Sequence, residues 1–156
     1  RGFVQEGWKA LKTLADTALD FDTSRIYPGI PEYFRADGRG MYHYLTGAAS
    51  WYMMTMITQV FGVRGEAGDL LLQPKLTAAQ FDAEGSASVH VTFAGRRLEI
   101  RCQNPGRLEY GQYRVQKVLC GDAELCAGSC DSVIIPRRVI EALPAEQKQV
   151  FTVYLG

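Results

Sequence analysis

From Val4 the apolar residues return at three- and four-residue steps: Val4, Trp8, Leu11, Ala15, Ala18 and Leu19. That spacing lines one face of a helix and leaves Lys9, Lys12 and Asp16 on the other. The pattern stops between Asp20 and Pro31. Asp22-Thr23-Ser24 is loop chemistry, and Pro28-Gly29 with Pro31 forbids a continuous helix. Asp37-Gly38-Arg39-Gly40 reads as a second turn. A second helix is expected from about Gly47 to Phe61, closed by Gly62 as its C-terminal cap. Ala48, Ala49, Trp51, Met53, Met54, Met56, Ile57, Val60 and Phe61 leave it almost no polar face. Such a helix should be buried on most sides, and two helices cannot provide that cover.

From residue 66 the period changes from helical to two. Ala87, Val89, Val91 and Phe93 alternate with Ser86, Ser88, His90 and Thr92, the mark of a strand with one buried face. After Gly95-Arg96 the alternation resumes with Leu98, Ile100 and Cys102, which predicts a hairpin. Asn104-Pro105-Gly106 is a turn. Strands follow at Tyr113 to Leu119 and Ser132 to Ile135, with Pro136 opening a short helix. Gln149 to Leu155 carries apolar residues on both faces, as a central strand would. The fold class is therefore α+β: helices in residues 1–65, then antiparallel strands in 66–156 arranged as a sandwich or jelly-roll-like domain.

Composition narrows the functional classes. Seventeen basic and seventeen acidic residues cancel, so no net field recruits nucleic acid or an anionic membrane. No apolar run reaches the ~18 residues that span a bilayer. The chain opens on Arg1-Gly2-Phe3 rather than Met, just ahead of an amphipathic helix, which suggests a cut from a longer protein. Cys102, Cys120, Cys126 and Cys130 suffice for two disulfides, but a domain of this size does not need staples, and reduced thiols in a cytoplasmic chain are expected. Their spacing lacks paired C-x-x-C ligands, so no metal site is expected.

Candidate chemistry concentrates at Tyr44-Leu45-Thr46-Gly47-Ala48-Ala49-Ser50-Trp51. A helix starting here would present unpaired backbone N–H groups and the positive end of its dipole. Such an end accepts an anion, Gly47 would let it approach the backbone, and Thr46 would add a hydroxyl donor. The plainer reading makes Thr46 the N-cap of a buried helix; the two roles are compatible.

Ile26 to Phe34, Gly38-Arg39-Gly40, the Thr46-Gly47 block, Phe61-Gly62-Val63-Arg64 and Gly68-Asp69-Leu70-Leu71-Leu72-Gln73-Pro74-Lys75-Leu76 occur in that order. Together they resemble the C-terminal region of glycoside hydrolase family 94. These are the inverting phosphorylases of cellobiose, chitobiose and 1,2-β-oligoglucans, with the phosphorylase-like domain of cyclic β-1,2-glucan synthases. The resemblance implies that residues 1–65 are the last helices of an (α/α)6 barrel and 66–156 a C-terminal β domain. It implies phosphate binding by Thr46 and Gly47, with inorganic phosphate as co-substrate, no cofactor, and a β-linked gluco-oligosaccharide as the other substrate. The Asp general acid, and the Arg and His that complete the phosphate site, would lie in the remainder of a parent chain, so the 156 residues alone would be inactive. Family members are often dimers, which makes a homodimer an expectation too.

Glu32 stands where many members carry a phosphate-contacting Gln. A carboxylate facing an anion is repelled unless protonated or paired. An ion pair with Arg35 or Arg39, or a sugar contact, is the alternative. His43 lies beside the motif and is a further candidate contact, against a structural role. Trp51 is more at home in an apolar core than against a sugar. A second functional class stays open: an independent carbohydrate-binding or structural β module without catalysis.

Overall fold

Helix α1 (Val4–Leu19) places its apolar stripe inward as the periodicity predicts. Trp8, Leu11 and Ala15 are half-buried and Ala18 is buried, while Lys9, Lys12 and Asp16 face solvent, with Lys12 paired to Asp16 at 2.5 Å. Leu19 departs from the expectation, being 82% exposed at the helix end. In this computed structural model residues 2–27 and 29–156 are described; Arg1, and the helix break expected at Pro28, lie outside them. The chain divides into two compact units, residues 1–56 and 57–156.

Within the first unit the stretch read as loop is one turn of helix, α2 (Phe21–Ser24). Asp20 caps it, accepting from the Thr23 hydroxyl at 2.6 Å, and that hydrogen bond draws the Asp20 carboxyl below its usual range. Ser24 is buried because its hydroxyl donates to the Ala18 carbonyl at 3.1 Å and accepts from the Ile26 N–H at 3.2 Å. Strands β1 (Tyr33–Phe34) and β2 (Gly40–Met41) form a small antiparallel hairpin around the Asp37-Gly38 turn. Gly40 has to lack a side chain: a Cβ there would stand 2.4 Å from Ile26 Cγ1 and 2.9 Å from the Pro31 ring.

Helix α3 (Ala48–Thr55) follows. None of its residues is buried, and Trp51, Met53 and Met54 are 68%, 63% and 52% exposed. The expectation of burial on most sides is therefore not met within these 156 residues. The helical pattern passes into a π-helix at Met56–Val60, and Gly62 ends it in the left-handed region at φ 65°. The division between units thus falls inside the predicted helix rather than after residue 65, since the strand that opens at Val63 is bound into the sheets of the second unit.

The second unit holds two sheets. Strands β3 (Val63–Glu66), β4 (Asp69–Leu72) and β9 (Val133–Ile135) form an antiparallel sheet of three. The larger sheet is built from β5 (Ser86–Phe93), β6 (Arg96–Gln103), β7 (Val115–Cys120), β8 (Ala123–Cys130) and β10 (Gln149–Leu155), in the order β5-β6-β10-β7-β8. The hairpin of β5 and β6 pairs as predicted, with Val89 opposite Ile100 and Val91 opposite Leu98. The closing strand is central, as its two apolar faces imply.

One pairing differs from an all-antiparallel sheet. β10 runs parallel to β6 and antiparallel to β7. The chain reaches β10 from the short helix α4 (Arg137–Glu141), which Pro136 precedes, so β10 enters the gap between two older strands instead of adding to an edge. Phe151 and Val153, both fully buried, then meet Ile100 and Cys102 on one side and Cys120 and Val118 on the other. No helix among the described residues is long and apolar enough to cross a membrane.

Candidate functional site

The candidate anion site is built by the approach to α3. Gly47 occupies the N-cap position with φ −85° and ψ −1°, and Trp51 N–H donates to its carbonyl at 2.8 Å. Thr46 stands one residue earlier. Its hydroxyl oxygen accepts from the Ala48 N–H at 3.1 Å, and its proton goes to the Glu32 carboxylate. Thr46 and Glu32, read separately along the chain, are thus brought into direct contact. The hairpin carries Glu32 there: its N–H donates to the Tyr42 carbonyl at 3.0 Å, just outside the Tyr33–Met41 pair.

Arg35 does not pair with Glu32. It bonds to Asp37 at 3.1 Å, and the Asp37 carboxylate also accepts from the Arg39 backbone N–H at 3.2 Å. The helix start itself is open: Gly47 is exposed and Thr46 half-buried. The space a Gly47 side chain would fill is taken by the Trp51 indole, whose Cδ1 and Nε1 would lie 2.9 Å and 3.1 Å from a Cβ there. Trp51 stands beside Gly47 and is 68% exposed within these 156 residues.

His43 stands apart from the Thr46–Glu32 pair and packs edge-to-face on Tyr44, ring centres 5.0 Å apart at 83°. Both line a cavity of about 540 Å3 with Arg25, Arg39, Tyr42 and Leu45. Thr46 and Gly47 are not among its lining residues. Arg25, Tyr42 and Leu45 hold left-handed backbone at φ 57°, 59° and 56°. Each such residue without glycine's freedom costs on the order of 1–3 kcal/mol, and strain of this kind concentrates where a loop has to hold a set shape. The sequence passes over Arg25 and Tyr42, and singles out Arg39 by its place between two glycines and as a possible ion-pair partner of Glu32.

Three of the four cysteines are half-exposed and Cys102 is buried, and none forms a disulfide. Burial pushes the Cys102 thiol up to about 12 and also raises Cys120 and Cys130. Among the described residues no group of three His, Cys, Asp or Glu side chains is placed to hold a metal ion.

The second unit contains an ionic centre that the sequence reading missed. Glu99 is 5% exposed. It accepts from Lys148 at 2.5 Å and from Arg101 at 2.5 Å and 3.0 Å, with His90 Nε2 at 3.4 Å. Those hydrogen bonds, that of Lys148 foremost, hold its carboxyl down at about 2. Strand alternation put Glu99 on the polar face; nothing local announced that Lys148, from a distant loop, would cover it.

Compared with protein-family models and with curated proteins, the chain matches none.

Proposed function

We propose that the chain is the C-terminal part of an inverting β-glucoside phosphorylase of the family 94 type, working in the cytoplasm. In this reading phosphate attacks the anomeric carbon while an Asp elsewhere in the parent protonates the leaving oxygen. Phosphate stands in for the water of an inverting hydrolase and needs no base to activate it. The first unit, residues 1–56, contributes the last helices of an (α/α)6 barrel, and the second, 57–156, a supporting β domain. Thr46 and Gly47 hold phosphate against the start of α3.

The observation that carries the reading is the coincidence of Thr46, Gly47 and the first turn of α3 at one open end. There a hydroxyl donor and the positive pole of the helix can act on one oxyanion. The exposed Trp51, Met53 and Met54 fit a helix that packs against further helices. For phosphate to bind, the Thr46 hydroxyl turns from Glu32 to a phosphate oxygen.

The test is phosphate-dependent cleavage of a β-linked gluco-oligosaccharide by the parent protein, read as released glucose 1-phosphate. Thr46→Val should lower kcat/KM roughly 100-fold or more, the usual loss for one donor to transition-state charge. Unchanged turnover removes Thr46 from the site.

A further inference from the structure

A second pocket, wholly within the β unit, has a different character. It is a polar cavity of about 250 Å3, below the roughly 300–1,000 Å3 of sites for drug-sized ligands. Tyr110, Tyr113, Arg114, Asp131 and Gln73 supply its chemistry.

Its frame is rigid. The buried Asn104 ties the preceding turn by donating to the Leu108 carbonyl at 2.9 Å and accepting from the Leu108 N–H at 3.0 Å. The Glu109 carboxylate accepts from the Ala78 N–H at 3.1 Å. The Tyr113 hydroxyl accepts from the Leu76 N–H at 2.8 Å and is within 3.0 Å of the Leu76 carbonyl. Arg114 exchanges both backbone hydrogen bonds with Gly156, at 3.0 Å and 3.1 Å. Tyr110 is then held edge-to-face on Tyr113, centroids 6.2 Å apart at 78°, yet remains 38% exposed.

The two charged groups are exposed and cancel. Arg114 is paired with Asp131, both half or more exposed at 54% and 75%. A surface pair of this kind contributes only ~0–1 kcal/mol to folding. The pair leaves one carboxylate oxygen and the remaining guanidinium N–H groups available. Gln73 accepts from Arg64 Nη2 at 2.9 Å, which orients the amide and leaves its NH2 as a donor. An anion would have to face Asp131, and an apolar ligand would strand these groups without partners. A ring with hydroxyls at its rim and C–H bonds on its faces satisfies both, with the hydroxyls on Arg114, Asp131 and Gln73 and one face on Tyr110.

We propose that this pocket binds one neutral hexose ring, as a free sugar or as a unit of an oligosaccharide. The proposal stands apart from the phosphate reading, since it uses no residue before Arg64.

The experiment is a titration of the 15N-labelled chain with D-glucose, with cellobiose, and with inorganic phosphate. Saturable shifts of the Tyr110, Gly111, Arg114 and Asp131 amides with glucose support a free-sugar site. The same shifts with cellobiose alone support an oligosaccharide site. Tyr110→Ala and Asp131→Asn should each weaken binding roughly tenfold. Both positions are exposed, and an unaltered spectrum in the β unit verifies that the variants fold. Absence of saturable shifts with either sugar overturns the proposal. So does sugar affinity within about twofold of the parent in both variants, or phosphate reproducing the shifts.

Discussion

Thr46 gives its hydroxyl proton to the Glu32 carboxylate while accepting the Ala48 N–H. The donor proposed for phosphate is therefore already held by an acid. Glu32 is exposed, so the contact is not forced by burial; the hairpin that pairs Tyr33 with Met41 delivers it.

Replacing that acid should help an anion. Glu32→Gln keeps a hydrogen-bonding partner for Thr46 and removes a negative charge from beside the helix start. In the parent enzyme the KM for phosphate should fall about fivefold, the ~1 kcal/mol scale of charges about 4 Å apart in a solvated setting. Initial rates at varied phosphate measure it, and a raised KM would mean that Glu32 assists binding.

Glu99 makes the β unit acid-sensitive. Its folded carboxyl sits at about 2, below the ordinary carboxylate range. A depressed acid contributes stability that is complete above its unfolded value, near 4.5, and is lost as pH falls toward about 2. Urea midpoints measured across that window should decline, and Glu99→Gln should flatten the decline. At pH 7 the same variant should cost about 1–3 kcal/mol, as hydrogen bonds to a charged group do.

Gly62 is required by both its conformation and its surroundings. Its φ is 65°, and a Cβ would lie 1.8 Å from the Gln73 carbonyl oxygen, whose residue donates its N–H to Gly62 at 2.9 Å. Backbone cannot swing aside as a side chain can. Gly62→Ala should destabilise the β unit by at least ~2 kcal/mol in chemical denaturation, whereas the open Gly121 should tolerate the same change better.

The cysteines should separate by reactivity. Thiolate is the reacting form, and Cys102 is both buried and pushed up to about 12. With a thiol-specific reagent at pH 8, Cys120, Cys126 and Cys130 should label in the folded protein. Cys102 should label only with global unfolding. Mass spectrometry of the labelled peptides distinguishes them.

Those outcomes also mark what could be read along the chain. The inward stripe of α1 and the β5–β6 hairpin were legible because each repeats its period several times. Gln149–Leu155 was legible as central because both its faces are apolar. β8 was not: Ala123, Ala127, Gly128 and Ser129 provide no apolar alternation, and pairing with β7 alone makes it a strand. The parallel register of β10 on β6 was invisible for another reason, since it depends on where a late segment lands relative to one some 50 residues earlier. At the candidate site, Thr46 and Gly47 stand out by residue type alone, but Glu32 meets Thr46 only because the hairpin folds between them.

The position of β10 also dictates how the β unit is made. β6 and β7 are synthesised first, yet the strand that joins them ends at Leu155. A nascent chain on the ribosome therefore carries two bare inner edges, and its Ile100 and Val118 rows lack Phe151 and Val153 between them. Unpaired edges recruit other strands. Closure of this sheet waits for residues 149–155, and the interval before they arrive is when its inner edges are most open to misassembly.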